Sequence, residues 1–201
     1  GNFIFRTIEF EQMEYQTFCK QGDDEELYEY FKDYGIEFFE FIGLSKEHLR
    51  FHNHEKLAHY AKAACDNEST YGLSRLVLAV LFEALTEEEL ENGDTREVLK
   101  INHSLAPIKV NVLPLIKKRH VEKAQEIYKE LKKYYMVSYD DAGNIGKRYR
   151  RGDAIGTPYS VTIDDETLAK NTVTIRERDT MQQVTIAIEE LRSYLSDCLG
   201  K

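Results

Sequence analysis

The second half of the chain predicts an α/β layer fold, because short apolar runs of strand length alternate there with amphipathic stretches of helix length. The first half predicts an α+β arrangement, an extended opening segment followed by helix-rich chain. Charge divides the molecule in the same place. Residues 1–100 hold 10 Lys and Arg against 22 Asp and Glu, whereas residues 101–201 hold 17 against 14. The formal charge of -9 therefore joins a strongly acidic half to a mildly basic one.

Taken in order, Phe3, Phe5, Thr7 and Glu9 alternate with Ile4, Arg6 and Ile8, the period of a strand. Helices are expected over 25–41, 56–65 and 72–85, the last with Leu73, Leu76, Val77, Val80, Leu81 and Ala84 at helical spacing. A polar segment at 86–94 closes on Asn92-Gly93-Asp94, which is turn chemistry. The domain boundary is placed near 96–104, giving units of 1–95 and 96–201. Residues 108–115 form an apolar run suited to a buried strand. Val121, Ala124, Ile127, Tyr128, Leu131 and Tyr135 then trace one face of a helix. A strand is expected at 136–139, a turn at 140–144 and a polar helix at 146–155. Strands at 157–163, 172–176 and 183–186 and a closing helix at 188–199 complete the pattern.

A hydrophobic content of 42% and a charged content of 31% are those of an ordinary globular protein. No apolar run approaches the roughly 20 residues a membrane span needs, and no charged leader precedes an apolar stretch. No membrane partner is expected, and the cytoplasm is the expected compartment. Cys19, Cys65 and Cys198 are odd in number and far apart, so they predict reduced thiols rather than a disulfide framework or a thiolate metal site.

Several chemical motifs fail on spacing. His54 and His59 lie five residues apart, about 140° round a helix, so they are not the His-Glu-x-x-His zinc pair, and no metal is assigned to them or to His52. Gly143-Asn144-Ile145-Gly146-Lys147 lacks the spacer of a phosphate loop, and Arg148 stands where a hydroxyl should hold magnesium. The run Lys147-Arg148-Tyr149-Arg150-Arg151 is different: four cations surround one aromatic ring between flexible glycines. Such residues neutralise phosphates and stack on exposed bases. A solvated helix face paired with Asp141 and Asp153 is the alternative, and composition leaves both open. Lys117-Lys118-Arg119-His120 forms a second cationic cluster, and Arg176 and Arg178 flank the fourth strand. Together these clusters favour RNA. At the other end, Arg6, Phe10 and Glu14 share one side of an extended strand. There they could meet a triphosphate, an adenine and an ammonium group. Arg75 follows Gly72 at the start of an apolar helix, whose N-terminus suits an anion.

In this order the pieces resemble the dimeric, α2-type glycyl-tRNA synthetases of bacteria and archaea. Residues 2–14, Asn-Phe-Ile-Phe-Arg-Thr-Ile-Glu-Phe-Glu-Gln-Met-Glu, look like the second half of class II motif 2 in its glycine-specific form. Ala58-His59-Tyr60-Ala61-Lys62 matches a further family stretch, and Glu68 to Arg75 is similar to motif 3. Leu105-Ala106-Pro107-Ile108-Lys109-Val110 looks like the opening of the family's anticodon-binding domain. The stretches 143–151, 156–158 and 176–183 fit that domain closely.

The resemblance implies a partial antiparallel-sheet catalytic domain followed by an anticodon-binding domain with a mixed five-stranded sheet and about three helices. It also implies the two-step activity, in which glycine and ATP form glycyl-adenylate and glycine then passes to tRNA(Gly), with Mg2+ as cofactor and a homodimer as the family's state. No DNA partner is implied. Carried over, Phe5, Arg6, Thr7, Ile8, Glu9 and Phe10 would line the ATP pocket, with Gly72, Leu73, Ser74 and Arg75 returning to it. Arg6 and Arg75 would be the catalytic cations, acting by positioning and charge cancellation. Phe10, Glu11, Gln12, Met13 and Glu14 would border glycine, with Glu68, Ser69, Thr70, Tyr71 and Gly72 around its ammonium. Lys147, Arg148, Tyr149, Arg150, Arg151, Arg176 and Arg178 would meet tRNA. The chain departs from the family where Ile8 replaces an Arg and Ser69-Thr70 replace Pro-Ser. A long catalytic stretch is also missing between Asp66 and Glu68. These departures keep a second reading open, a non-catalytic relative retained as an RNA-binding or protein-docking module.

Overall fold

The structure, a computed structural model, describes residues 17–20, 22–53, 55, 65–67, 73–90 and 93–199. It divides into two compact units, Gly1–Ala84 and Leu85–Lys201.

In the first unit, helix α1 spans Asp24–Phe41. Asp24, Glu25 and Glu26 occupy its first turn, where carboxylates favour the positive end of the helix dipole. It stops at Gly43, whose φ of +99° lets Gly43 N–H bond Glu40 O (3.0 Å) and Leu44 N–H bond Phe39 O (2.9 Å). This Schellman closure satisfies carbonyls that would otherwise be orphaned. Strand β1 (Phe51–Asn53) pairs antiparallel with β2 (Cys65–Asn67). The helix expected at 56–65 lies outside the described residues except for Cys65, which begins a strand. Helix α2 covers Leu73–Ala84, as its periodicity predicts, and His48 Nδ1 lies 2.8 Å from Glu83 Oε2.

The second unit opens eleven residues before the expected boundary, with an antiparallel hairpin of β3 (Leu85–Glu89) and β4 (Thr95–Leu99). Thr86-Glu87-Glu88-Glu89 reads as polar loop because a hairpin exposed on one side gives a weak apolar signal. Its tip carries Gly93 at φ +79°, in the turn the sequence predicts. The main sheet contains β5 (Val110–Pro114), β6 (Val137–Tyr139), β7 (Tyr159–Ile163), β8 (Thr172–Glu177) and β9 (Gln183–Ala187) in the order β6-β5-β7-β8-β9. Strands β6, β5 and β7 are parallel, β8 runs antiparallel to β7, and β9 runs antiparallel to β8. Helix α3 (Lys117–Leu131) links β5 to β6, and α4 (Ile145–Ala154) links β6 back past β5 to β7. The two crossovers run in opposite directions, so right-handed connections place α3 and α4 on opposite faces. Tyr135 lies beyond the end of α3, correcting the longer helical face. A short helix α5 (Asp165–Lys170), not expected, is stabilised by a reciprocal cap between Asp164 and Thr167. Helix α6 (Leu191–Leu199) closes the unit.

The two faces of the sheet differ in chemistry. One is apolar: Val110, Val112, Val161, Ile163, Val173 and Ile175 pack against Ala124, Ile127 and Leu131 of α3 and Leu191, Leu195 and Leu199 of α6. Each such side chain withdrawn from water contributes about 1.5–3 kcal/mol. The other face is polar. Register aligns Ser138, Asn111, Ser160, Arg176 and Gln183 in one row and Leu113, Thr162, Thr174 and Thr185 in the next.

Candidate nucleic-acid interface

Helix α4 lies on the polar face, and two of its ten residues are glycine, which weakens it as a helix. Specific contacts hold it. Asn144 Oδ1 accepts from Lys147 N–H at 2.9 Å, a side-chain N-cap. Arg148 donates to the carbonyls of Pro114, Gly143 (2.6 Å) and Asp141 (3.2 Å), tying the helix to the carboxyl ends of β5 and β6. Gly152 lies so close to the sheet that a Cβ there would overlap the side-chain amide of Asn111. Tyr149 sends its hydroxyl to Thr162 Oγ1 at 2.7 Å, and its ring lies under the Arg176 guanidinium at 4.8 Å. Asp153 receives Arg176 Nη1 at 2.8 Å and Nη2 at 3.0 Å.

These contacts correct three of the proposed RNA-contacting cations. Arg148, Arg176 and Arg178 are buried, at 4%, 6% and 2% exposure. Arg178 donates to Gly156 O and Ile101 O, both at 2.9 Å, and pairs with Asp179. Burying a guanidinium is costly unless its donors are matched, and here carbonyls and carboxylates match most of them, Arg148 Nε alone among these donors being buried without a partner. These arginines hold the fold together instead of facing solvent. The sequence shows their charge but not their depth.

The other cations of the run do face outward. Lys147 is exposed and makes no ion pair among the described residues. Arg150 Nη2 meets Asp94 Oδ2 at 2.8 Å, and Arg151 meets Asp140 at 2.6 Å, each arginine side chain about half exposed. Ion pairs of this kind are worth about 0–1 kcal/mol, so exchanging the carboxylate for a phosphate costs little. Lys117 and Arg119 in the second cluster are likewise exposed, on Asp141 and Asp165. Its fourth member, His120, is fully buried and structural. Its Nδ1 accepts Ile116 N–H at 3.0 Å, which fixes the proton on Nε2, 2.9 Å from Asp165 Oδ1.

Beside α4 the polar face stays open. Thr174 Oγ1 lies 3.5 Å from Thr185 Oγ1, and Thr185 and Gln183 are exposed. From the partly buried Tyr149, a hydroxyl-rich row runs through Thr162 and Thr174 to Thr185. These threonines are not among the residues the sequence leads one to expect at an RNA surface. Their signal was polar residues at even spacing in otherwise apolar strands, Ser160 and Thr162 and then Thr172, Thr174 and Arg176. Uncharged hydroxyl and amide groups beside an aromatic ring and exposed cations can hold unstacked bases while the cations track the backbone.

Phe5, Arg6, Thr7, Ile8, Glu9, Phe10, Glu11, Gln12, Met13 and Glu14 lie outside the described residues, as do Glu68, Ser69, Thr70, Tyr71 and Gly72. Leu73, Ser74 and Arg75 form the first turn of α2. Elsewhere, His103, Glu177 and Asp179 bring ligand atoms within 4.8 Å of one another. Both oxygens of Asp179 already bind Arg178, at 2.7 and 2.9 Å, so a cation there would face a guanidinium. We assign no metal to it.

The second unit is thus of the α/β class, a mixed sheet with one apolar face and one open polar face bordered by exposed cations. Residues 109–197 match the family model described as an anticodon binding domain. Over 98% of its length the chain is 43% identical to the glycine–tRNA ligase of Clostridium tetani and 42% identical to that of Clostridium kluyveri. Over 97% it is 38% identical to the enzyme of Geobacillus thermodenitrificans. The chain belongs to the glycine–tRNA ligase family and spans about half the length of these relatives, 53% of each. Among solved structures it is similar to the RNA binding domain of threonyl-tRNA synthetase from Cryptosporidium parvum Iowa II, with a TM-score of 0.45 and 29% identity over 49% of this chain and 25% of that one. It is also similar to prolyl-tRNA synthetase from Cryptosporidium parvum, complexed with L-proline and AMP, with a TM-score of 0.47 and 23% identity over 56% and 31%.

Proposed function

We propose that residues 85–201 bind the anticodon arm of tRNA(Gly) within a glycine–tRNA ligase. The observation that carries this reading is the pairing of two features on one face. The exposed, weakly held cations Lys147, Arg150 and Arg151 border the open row from Tyr149 to Thr185 and Gln183. Phosphate contacts give affinity, and the hydroxyl and amide row offers partners to base edges. The first unit would carry the remainder of the catalytic domain, with glycine, ATP and Mg2+ as its ligands and a homodimer as the assembly, all by kinship with the family. No helix among the described residues is long and apolar enough to cross a membrane.

The test is tRNA(Gly) binding to the chain across a range of salt concentrations, compared with the Lys147→Ala/Arg150→Ala/Arg151→Ala variant. Each lost phosphate contact lowers the slope of log K against log salt by about 0.7–0.9. The triple variant is expected to lose a slope of about 2 and to bind more weakly at every salt concentration. Arg148 is left in place, since its removal would test folding instead. A triple variant that binds like the parent refutes the interface.

One observation favours the second reading. The relatives align over 248 positions while this chain supplies 201 residues, in keeping with a catalytic stretch missing between Asp66 and Glu68. A non-catalytic RNA-binding relative would keep tRNA binding yet give no glycine-dependent ATP–pyrophosphate exchange. Clear exchange by this chain excludes it.

A further inference from the structure

The β3–β4 hairpin lies ahead of the residues matched by the family model, yet it is wired into the polar face by one side chain. Arg96 of β4 is 3% exposed. Its Nε donates to Glu88 Oε2 at 2.8 Å, and its Nη1 donates to Asp153 Oδ2 and to Arg178 O, both at 3.0 Å. Asp153 Oδ2 is also the acceptor for Arg176 Nη2, so one carboxylate oxygen is shared by two guanidinium groups. Arg176 in turn covers the ring of Tyr149, whose hydroxyl meets Thr162. Asp153 is shared by Arg96 and Arg176, and the partly exposed Glu88 by Arg96 and Lys100, so removing Arg96 leaves the buried Asp153 carboxylate mismatched.

We infer that the hairpin is a positioning element of the RNA face, with Arg96 setting the Asp153–Arg176–Tyr149 stack from the side away from RNA. This rests on the RNA-binding reading above. Arg96 is a positioning residue: it does not touch RNA and acts through Asp153. Because coupling between sites is reciprocal, RNA that engages Tyr149 must also stabilise the hairpin it is wired to.

The experiment has two arms, both on the full chain with tRNA(Gly). In the first, Arg96→Met is measured alone and in a Tyr149→Ala background. Arg96→Met is expected to weaken binding about tenfold in the parent and less than threefold when Tyr149 is gone, a non-additivity typical of coupled residues. The slope of log K against log salt is expected to stay unchanged, because no phosphate contact is removed. A purely structural role would give the same loss in both backgrounds and would overturn the inference, and a lowered slope would make Arg96 an RNA contact and overturn it too.

The second arm needs no variant and decides the matter if Arg96→Met fails to fold. Amide exchange of Glu97 and Val98 in β4 is followed with and without RNA. Slower exchange on binding supports the coupling, and unchanged exchange with RNA bound overturns it. A parent chain that binds no tRNA fails the RNA-binding reading itself, and the inference falls with it. Binding with an indifferent hairpin fails only the inference.

Discussion

Replacing Asp153 by Asn tests how far the second unit depends on one buried carboxylate. Asp153 is 2% exposed and accepts three bonds from two arginines that are themselves 3% and 6% exposed. Asn keeps the shape but removes the charge and turns one acceptor into a donor facing guanidinium groups. Breaking a buried ion pair from one side costs about 3–5 kcal/mol, because an uncompensated charge stays behind. That is a large fraction of the roughly 5–15 kcal/mol a domain has. At about 4 °C per kcal/mol for a unit of this size, the midpoint should fall by about 12–20 °C. The assay is thermal unfolding followed by far-UV circular dichroism, since the chain has no Trp to report fluorescence, with urea midpoints as a second measure because guanidinium chloride would screen the ion pair under test. An apolar replacement of the whole triad, Arg96→Met/Asp153→Leu/Arg176→Met, should recover much of the loss. If Asp153→Asn changes stability by less than about 1 kcal/mol, the second unit does not depend on this network.

Gly152→Ala should destabilise by about 1–2 kcal/mol in thermal unfolding, because overlap with Asn111 outweighs the gain in helix propensity, whereas Gly146→Ala, with nothing nearer than Asn144 Oδ1 at 3.7 Å, should stabilise by up to about 1 kcal/mol. His120→Ala removes the acceptor for Ile116 N–H and the partner of Asp165, and should lower the urea midpoint by the equivalent of about 2–4 kcal/mol. Burial pushes the Asp179 carboxyl up, but hydrogen bonds from His103 and Arg178 outweigh it and hold the group well below the usual carboxylate range. Its contribution is therefore complete above an unfolded value of about 3.9 and is lost as pH falls below that. Asp179→Asn should flatten the stability profile below about pH 4 and leave its slope above pH 5 unchanged, as urea midpoints across that range will show.

Much of the fold was legible in the chain. Periodicity located α1, α2, α3, the main-sheet strands and α6, because each buries one stripe or run and repeats it locally. The hairpin and α5 were not legible. The hairpin's outward glutamates hide its alternation, and α5 is a six-residue helix held by a cap. The aromatic and cationic run at Lys147–Arg151 is visible in the chain, but Arg148 and Tyr149 turn inward while Lys147, Arg150 and Arg151 turn out. Helical spacing separates those two sets. Which set meets the sheet depends on where the sheet lies.

By itself the sequence determined the layered order of the second unit, the acidic and basic halves, and kinship with the glycine–tRNA ligases, all properties of residues near one another in the chain. Only the tertiary structure decided which cations are available to a partner. Asp153 meets Arg176 across 23 residues and Arg96 across 57. Such pairings are set by strand register and by the face a crossover helix covers. A charge keeps its sign wherever it sits, but its depth, and hence whether it binds RNA or braces the fold, belongs to the packed chain.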